Sequence, residues 1–429
     1  MYKKDKIKKS LKFSLLDGIF ASIMTGFITD YITPYALILK AKIAEIGTLN
    51  ALPNFISSFV QLKAADLTQK LGGRKKIINI FIFLHTLIGI PIILIPYLFK
   101  KNHQVLFLII FVTLFNSLNA MAMPAWSSLI ADHIPANKRG KYFGWRNKIL
   151  VIVTIISSFI AGSILHIFRN NILKGFLVIF TIAFSARFIS WYFLTRMYEP
   201  PLRLDKNSYF TFFEFIKRLK ESNFVKFVLF VASFNFCVNL AAPFFSVFML
   251  RDLKFNYFTY TILVTTVPLT NIFFIDRWGK IADKIGNLKI IQLNSIIISS
   301  LPFLWILNQN AIYLIFIQIL SGFAWSGFGL CTNNFIYDTV TSSKRVRCIA
   351  YFNALVGFAT CCGSLVGGFL VNRLPPLFSY KILTLFFISS SLRFLVALLL
   401  SKEIKEVRKT KEISNKEVFY DILGINSFK

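Results

Sequence analysis

The sequence predicts an all-α polytopic membrane protein, with twelve transmembrane helices in two pseudo-symmetric six-helix bundles. Three observations carry that prediction. Of the 429 residues, 55% are hydrophobic and 16% charged, and apolar runs of about 18 residues or more recur, each long enough for a helix to cross a bilayer core of about 30 Å. Basic residues alternate from rich to poor in successive connections between those runs. The second half of the chain also repeats the first at a nearly constant offset.

The apolar runs fall at 13–39, 47–65, 77–99, 105–131, 149–168 and 175–195, and then at 224–250, 256–276, 290–307, 311–338, 349–371 and 382–400. With the N-terminus inside, 37 of the 49 basic residues lie on the cytoplasmic side and 10 on the other. The positive-inside rule therefore predicts a multi-pass protein of the cytoplasmic (inner) membrane with both termini cytoplasmic. The formal charge of +30 is topological, so no nucleic-acid partner is expected. The basic start "MYKKDKIKKSLK" precedes an apolar run too long for a signal peptide and reads as a retained end. Five cysteines without metal-ligand spacing read as packing residues. The expected organisation is a bundle at 1–199, a linker at 200–222, a second bundle at 223–402 and a cytoplasmic tail at 403–429. Within the linker, Phe212, Phe215, Ile216 and Leu219 share one face of an amphipathic helix. That helix lies on the inner leaflet or packs on the loops.

An offset of 206 pairs Asp132 with Asp338, Arg139 with Arg345, Asn147 with Asn353, Ser158 with Ser364 and Arg187 with Arg393. At 209, Pro34 meets Pro243. Such a duplication predicts two parallel halves, an arrangement found in transporters that rock two bundles around a midplane site.

Between spans eight and nine the chain reads "RWGKIADKIGNLK", a charged connection between apolar runs. Glycines at 279 and 286 let the chain turn and backbones approach closely. An acid there can face the positive N-terminus of a neighbouring helix, worth about 0.3–2 kcal/mol. In Gly279, Asp283, Lys284, Gly286 and Lys289 the segment resembles the signature of the major facilitator superfamily, Gly-x-x-x-Asp-Arg/Lys-x-Gly-x-Arg/Lys, with the last base displaced by one. With the span count and the duplication, the resemblance extends to about residue 402. It implies that fold, and a gate that includes Asp283 and Lys284. The first-half counterpart, "AADLTQKLGGRKK", aligns Gly72 with Gly286 and places Arg74 and Lys75 behind it. Gln69 stands where the acid belongs; Asp66, one helical turn earlier, is expected to supply the carboxylate. Asp132 with Arg139, and Asp338 with Arg345, look like a second duplicated gate network, or else each closes its own helix end.

Ionisable groups inside spans are candidates for function because they are expensive there. Asp30 in span one is too deep to snorkel, whereas Asp17, five residues into that span, is assigned to the interface. Arg187 and Arg393 occupy equivalent places in spans six and twelve, which the resemblance puts outside the cavity lining. Spans four, seven and ten, which the resemblance puts around the cavity, carry Asn116 and Asn119, Asn235 and Asn239, and Asn333 and Asn334. Such amides bind a polar solute or join helices. His85 in span three titrates near neutrality or is packed and hydrogen-bonded.

The expected function is secondary active transport of a small solute by alternating access, by a monomer surrounded by lipid, with no cofactor and no enzymatic activity. Coupling to a proton or cation stays open, with Asp30 as the candidate. Span four lacks the arginine that proton-coupled drug antiporters of the superfamily carry, sugar-porter signatures are missing, and no GxxxxGK[ST] loop occurs. The first rival is a transporter-like receptor or assembly factor. A membrane enzyme is the second, and the four scattered histidines form no cluster for it.

Overall fold

A computed structural model describes residues 2–134, 139–200, 222–340, 342–378 and 380–407. Every predicted span is helical. The first six comprise α1 (Tyr2–Ile28) with α2 (Ile32–Ile38), α3 (Ile43–Val60) with α4 (Ala64–Lys70), α5 (Arg74–Leu87) with α6 (Gly89–Leu98), α7 (Gln104–Ala131), α8 (Arg139–Ile167) and α9 (Ile172–Thr195). The second six comprise α10 (Asn223–Asn239) with α11 (Phe244–Val247), α12 (Tyr257–Ile285), α13 (Asn287–Leu307), α14 (Ala311–Thr339), α15 (Ser342–Val371) and α16 (Lys381–Leu399). Among the described residues, eleven segments are long and apolar enough to cross a membrane. The twelfth, α3, is diluted by Glu45, Asn50 and Asn54.

By their internal contacts the residues fall into two compact units, Met1–Leu204 with Pro243–Thr265, and Asp205–Ala242 with Thr266–Lys429. In the first, α1 packs on α8 and α9, while α3 and α5 pack on α7. Ile77, Ile78, Ile82, Ala122, Leu129 and Leu194 are at the centre of its core. In the second, α10 packs on α15, and α13 packs on α14 and α16. The amphipathic helix expected at 211–222 and the tail beyond 407 lie outside the described residues.

Span one is broken between α1 and α2, and Pro34 supplies the reason. A proline has no N–H to give the carbonyl four residues earlier, which frees the Asp30 C=O. The Tyr260 hydroxyl donates to that carbonyl at 2.6 Å. Its duplicate Pro243 lies in the matching break after Asn239, so both halves interrupt the same span at the same point.

The segment 277–289 is not the loop its charges suggested. α12 continues through it to Ile285, because Trp278, Ile281, Ala282 and Ile285 recur at helical spacing and are all buried. The charged residues Arg277, Lys280, Asp283 and Lys284 take the exposed side of that helix. Only Gly286 makes the turn, at φ +89°, as Gly72 does in the first half at φ +69°. Gly279, in contrast, is not at a close approach: a Cβ there would meet only Leu330 Cδ2, at 3.7 Å. Gly286→Ala is expected to lower stability by about 1–2 kcal/mol through backbone strain. It also drives a Cβ to 2.8 Å from the Glu406 carboxyl carbon. Gly279→Ala should stay within about 0.5 kcal/mol of wild type, a contrast that thermal unfolding of the two purified variants measures.

Candidate functional site

Two features of the first unit hold charged side chains in defined geometry. One lies at the Gly72 turn. Arg74, 3% exposed in its side chain, follows that turn and donates from Nη1 to Asp132 Oδ2 at 2.6 Å and Ser128 Oγ at 3.0 Å. Its Nη2 donates to the Pro200 carbonyl at 3.2 Å. The Arg74 backbone N–H, at the start of α5, donates to Glu199 Oε1 at 2.6 Å. A carboxylate there satisfies a helix-end donor and opposes the helix dipole.

The second unit builds the same device from different side chains. The Leu288 N–H, at the start of α13, donates to Glu406 Oε2 at 2.7 Å, and Asn287 Nδ2 donates to Asp338 Oδ2 at 2.7 Å. In each half, a residue just after the turn glycine is therefore bonded to the acid at the end of the fourth or tenth span, Arg74 to Asp132 and Asn287 to Asp338. Glu199 and Glu406 escaped the sequence reading, although they stand 207 residues apart and so obey the duplication. Asp283 and Lys284 are exposed on α12, and Lys75 is half-buried on α5. The side chains of Asp66, Arg139 and Arg345 lie outside the described residues.

The other feature is a cavity of about 310 Å³ inside the first unit, lined from α1, α5, α7, α8 and α9. Asp17, Arg146 and Arg187 reach it, with Asn119, Asn147 and Trp126 beside them. Asp17, placed at the interface by its position in the sequence, and Arg146, which precedes the apolar run 149–168, are both buried, at 4% and 6% exposure. The helices rather than the sequence distances decide this, because α8 begins at Arg139 and carries Arg146 two turns inward. Gly18, next to Asp17, provides the room: a Cβ there would lie 2.9 Å from Arg146 Cζ and 3.0 Å from Leu150 Cδ1. Arg187 lines this cavity within the first unit.

Asp17 Oδ1 accepts from Ser190 Oγ at 2.7 Å, and its Oδ2 stands 4.0 Å from Arg146 Nη2. Arg146 donates from Nη2 to the Ser14 carbonyl at 3.0 Å and lies over the Trp126 ring at 4.7 Å. Its Nε is buried with no hydrogen-bond partner among the described residues. Arg187 spends Nε on His85 Nδ1 at 3.2 Å, Nη1 on Ser190 Oγ at 3.1 Å and Nη2 on Asn119 Oδ1 at 3.1 Å. His85 is the packed and hydrogen-bonded residue of the two readings, 1% exposed and stacked 3.7 Å from Phe115. Asp17 thus stands 4.0 Å from the Arg146 guanidinium and is linked to Arg187 through the Ser190 hydroxyl.

The remaining candidates do not join this cluster. Asp30 sits in the α1–α2 break, where its Oδ2 accepts from Ser158 Oγ at 3.2 Å. Beside it, the Tyr31 hydroxyl pairs with Thr261 Oγ1 at 2.7 Å and donates to the Ser158 carbonyl at 2.7 Å. Asn116 is exposed on α7, as is Asn333 on α14, with Asn334 half-buried next to it. Asn235 and Asn239 turn their amides onto their own helix, at 2.8 Å to the Val231 carbonyl and 2.9 Å to the Asn235 carbonyl. Asn239 also reaches Thr360 Oγ1 at 3.4 Å, so it joins α10 to α15. Arg393, the duplicate of Arg187, is tied to Ser389 Oγ and to the carbonyls of Ile298 and Val238 at 3.1–3.2 Å. No cluster of three or more metal-ligating side chains occurs among the described residues.

Comparison with known proteins agrees with this architecture. The family model described as Major Facilitator Superfamily matches residues 15–311 and 227–425. The tetracycline resistance protein, class B, of Escherichia coli is 25% identical over 158 residues, a match spanning 37% of this chain and 37% of that protein. A D-xylose-proton symporter superposes with a TM-score of 0.71 at 14% identity, covering 96% of this chain and 100% of its own. The POT family transporter PepTSo gives 0.72 at 11% identity over 92% of this chain and 97% of its own. The nucleoside transporter NupG gives 0.63 at 14% over 93% and 98%. At such identities the structural likeness speaks for the fold alone, and the family match covers most of the sequence. The chain belongs to the major facilitator superfamily.

Proposed function

We propose that this protein is a secondary active transporter that moves a small solute across the cytoplasmic membrane by alternating access. It acts as a monomer, with both termini in the cytoplasm and lipid around it. The observation that carries this reading is the charged cavity of the first bundle. Burying Asp17, Arg146 and Arg187 together is costly in a membrane, and a receptor with a sealed apolar core has no need of it. Family membership supports the same conclusion. The turn networks serve as latches: Arg74 with Asp132 and Glu199, and Asn287 and Leu288 with Asp338 and Glu406, hold one state of the cycle with bonds weak enough to break.

Of the two acids in span one, Asp17 is the better proton-coupling group, because its charge decides whether Arg146 and Arg187 are compensated. Asp30 accepts one hydrogen bond from a neutral hydroxyl, which an asparagine oxygen accepts equally well. The test is gradient-driven uptake of labelled solutes, screened by class, in proteoliposomes of purified protein. Asp30→Asn should retain uptake within about threefold, the scale of one altered neutral hydrogen bond. Asp17→Asn should lose the response to the gradient. Folded wild-type protein that moves no solute of any class sinks the transport reading in favour of the receptor.

A further inference from the structure

We infer that the cavity of the first bundle binds a small organic monoanion through its carboxylate, with Arg146 as the group that receives it. The inference rests on the transporter reading for its biological meaning, and it names the class of solute. Its basis is a charge imbalance that has a direction. Each nitrogen of Arg187 donates to a neutral partner, and Asp17 spends its short hydrogen bond on Ser190. Arg146 has one bond to a neutral carbonyl, at Ser14, a loose approach to Asp17 at 4.0 Å, and a buried Nε with no partner among the described residues.

A guanidinium presents Nε and one Nη as a planar fork that fits a carboxylate. On Arg146 one arm of that fork, Nη2, is held by the Ser14 carbonyl and the other, Nε, is buried without a partner among the described residues, in a side chain that forms part of the cavity wall. Two positive groups against one negative leave room for one further negative charge, which points to a monoanion over a dianion. The rest of the wall sets the remainder of the solute. Ala21, Ile78, Ile82 and Leu150 are apolar, and the Trp126 indole backs Arg146. At about 310 Å³ the space lies at the small end of ligand sites, so a compact carboxylate with an apolar or aromatic body fits this lining.

Benzoate, benzamide and benzylamine separate charge from shape, with inorganic phosphate as the compact multivalent anion. The full-length protein is melted against each of them at constant ionic strength, and apparent affinity is read from the dependence of Tm on concentration. Benzoate should stabilise the wild type, while benzamide and benzylamine should not. Arg146→Gln should weaken the benzoate response about thirtyfold or more, as for loss of one partner of a buried charge pair. Gly18→Ala, whose methyl group collides with the end of the Arg146 side chain, should weaken it in the same direction while keeping the charge. Asp17→Asn should strengthen it, because the competing carboxylate loses its charge.

The inference is overturned if benzamide or benzylamine stabilises as well as benzoate, or if phosphate does so better. It is equally overturned if Arg146→Gln keeps the benzoate response, or if Asp17→Asn does not strengthen it. Benzoate binding that follows this pattern without flux of any carboxylate leaves the site standing and removes the transport reading. Flux of a neutral or cationic solute that ignores Arg146→Gln does the reverse.

Discussion

Asp17→Asn is expected to destabilise the protein by about 3–5 kcal/mol, the range for stripping the counter-charge from a buried ionic cluster. The substitution keeps the shape of the side chain and an oxygen to accept from Ser190. What disappears is the only carboxylate among the cavity-lining residues, leaving Arg146 and Arg187 buried together. Side-chain exposures of 6% for Asp17 and 7% for Arg146 mean that water screens little of the effect. Adding Arg146→Gln removes the excess charge, so the double variant should be more stable than Asp17→Asn alone. A double-mutant cycle by thermal unfolding should give a coupling of about 1–3 kcal/mol between the two sites. Additive effects would mean that the 4.0 Å approach carries no energy.

The second large effect separates two arginines that the duplication makes equivalent. Arg393→Gln should lower stability by about 3 kcal/mol, because three charged hydrogen bonds are lost together. Those bonds run to Val238, Ile298 and Ser389, so Arg393 ties α10, α13 and α16 to one another. Transport per folded molecule should be little changed. Arg187→Gln should do the opposite. It costs about 1–2 kcal/mol, since orphaned His85 and Asn119 acceptors are partly offset by relief of positive charge. Solute flux should fall by about 100-fold, the scale for misplacing a positioned group, because Arg187 holds the Ser190 hydroxyl that donates to Asp17. Unfolding curves and initial rates on the same preparations resolve the two patterns.

All twelve spans were legible because bilayer-crossing length and apolar composition are strong signals in one dimension. The ends of the helices were less so. In "RWGKIADKIGNLK" four bases and an acid suggested a loop, but the buried stripe of Trp278, Ile281, Ala282 and Ile285 runs through them. Charge density marks a solvated face as readily as it marks a turn. The φ values at Gly72 and Gly286 fit the resemblance, whereas Gly279 matches its pattern without a steric need.

Half of the candidate cavity was hidden. Arg187 and Asn119 stood out as polar residues within spans, and both line it. Asp17 lies close to the start of the apolar run 13–39 and Arg146 just before the run 149–168, where snorkelling is the default expectation, and the packing of α1 on α8 draws them inward. A glycine directly after Asp17 was a hint of close helix approach. The asparagines of α10 turned onto their own backbone, a distinction that spacing along a helix cannot make. Glu199 and Glu406 were within reach, since testing every acid against the 206-residue repeat, with a tolerance of one, pairs them.

Alternating access makes the cavity reachable from each side of the membrane in turn, and this can be measured without knowing the solute. Ser22 lines the cavity and is 8% exposed, and Ser22→Cys is close to isosteric. In a background with the five native cysteines replaced, Ser22→Cys is labelled by a membrane-impermeant maleimide in right-side-out and in inverted vesicles. Labelling from both sides, at rates that Arg74→Ala shifts in opposite directions, is the predicted result. Labelling from one side only, or from neither, in folded protein would contradict the transporter account.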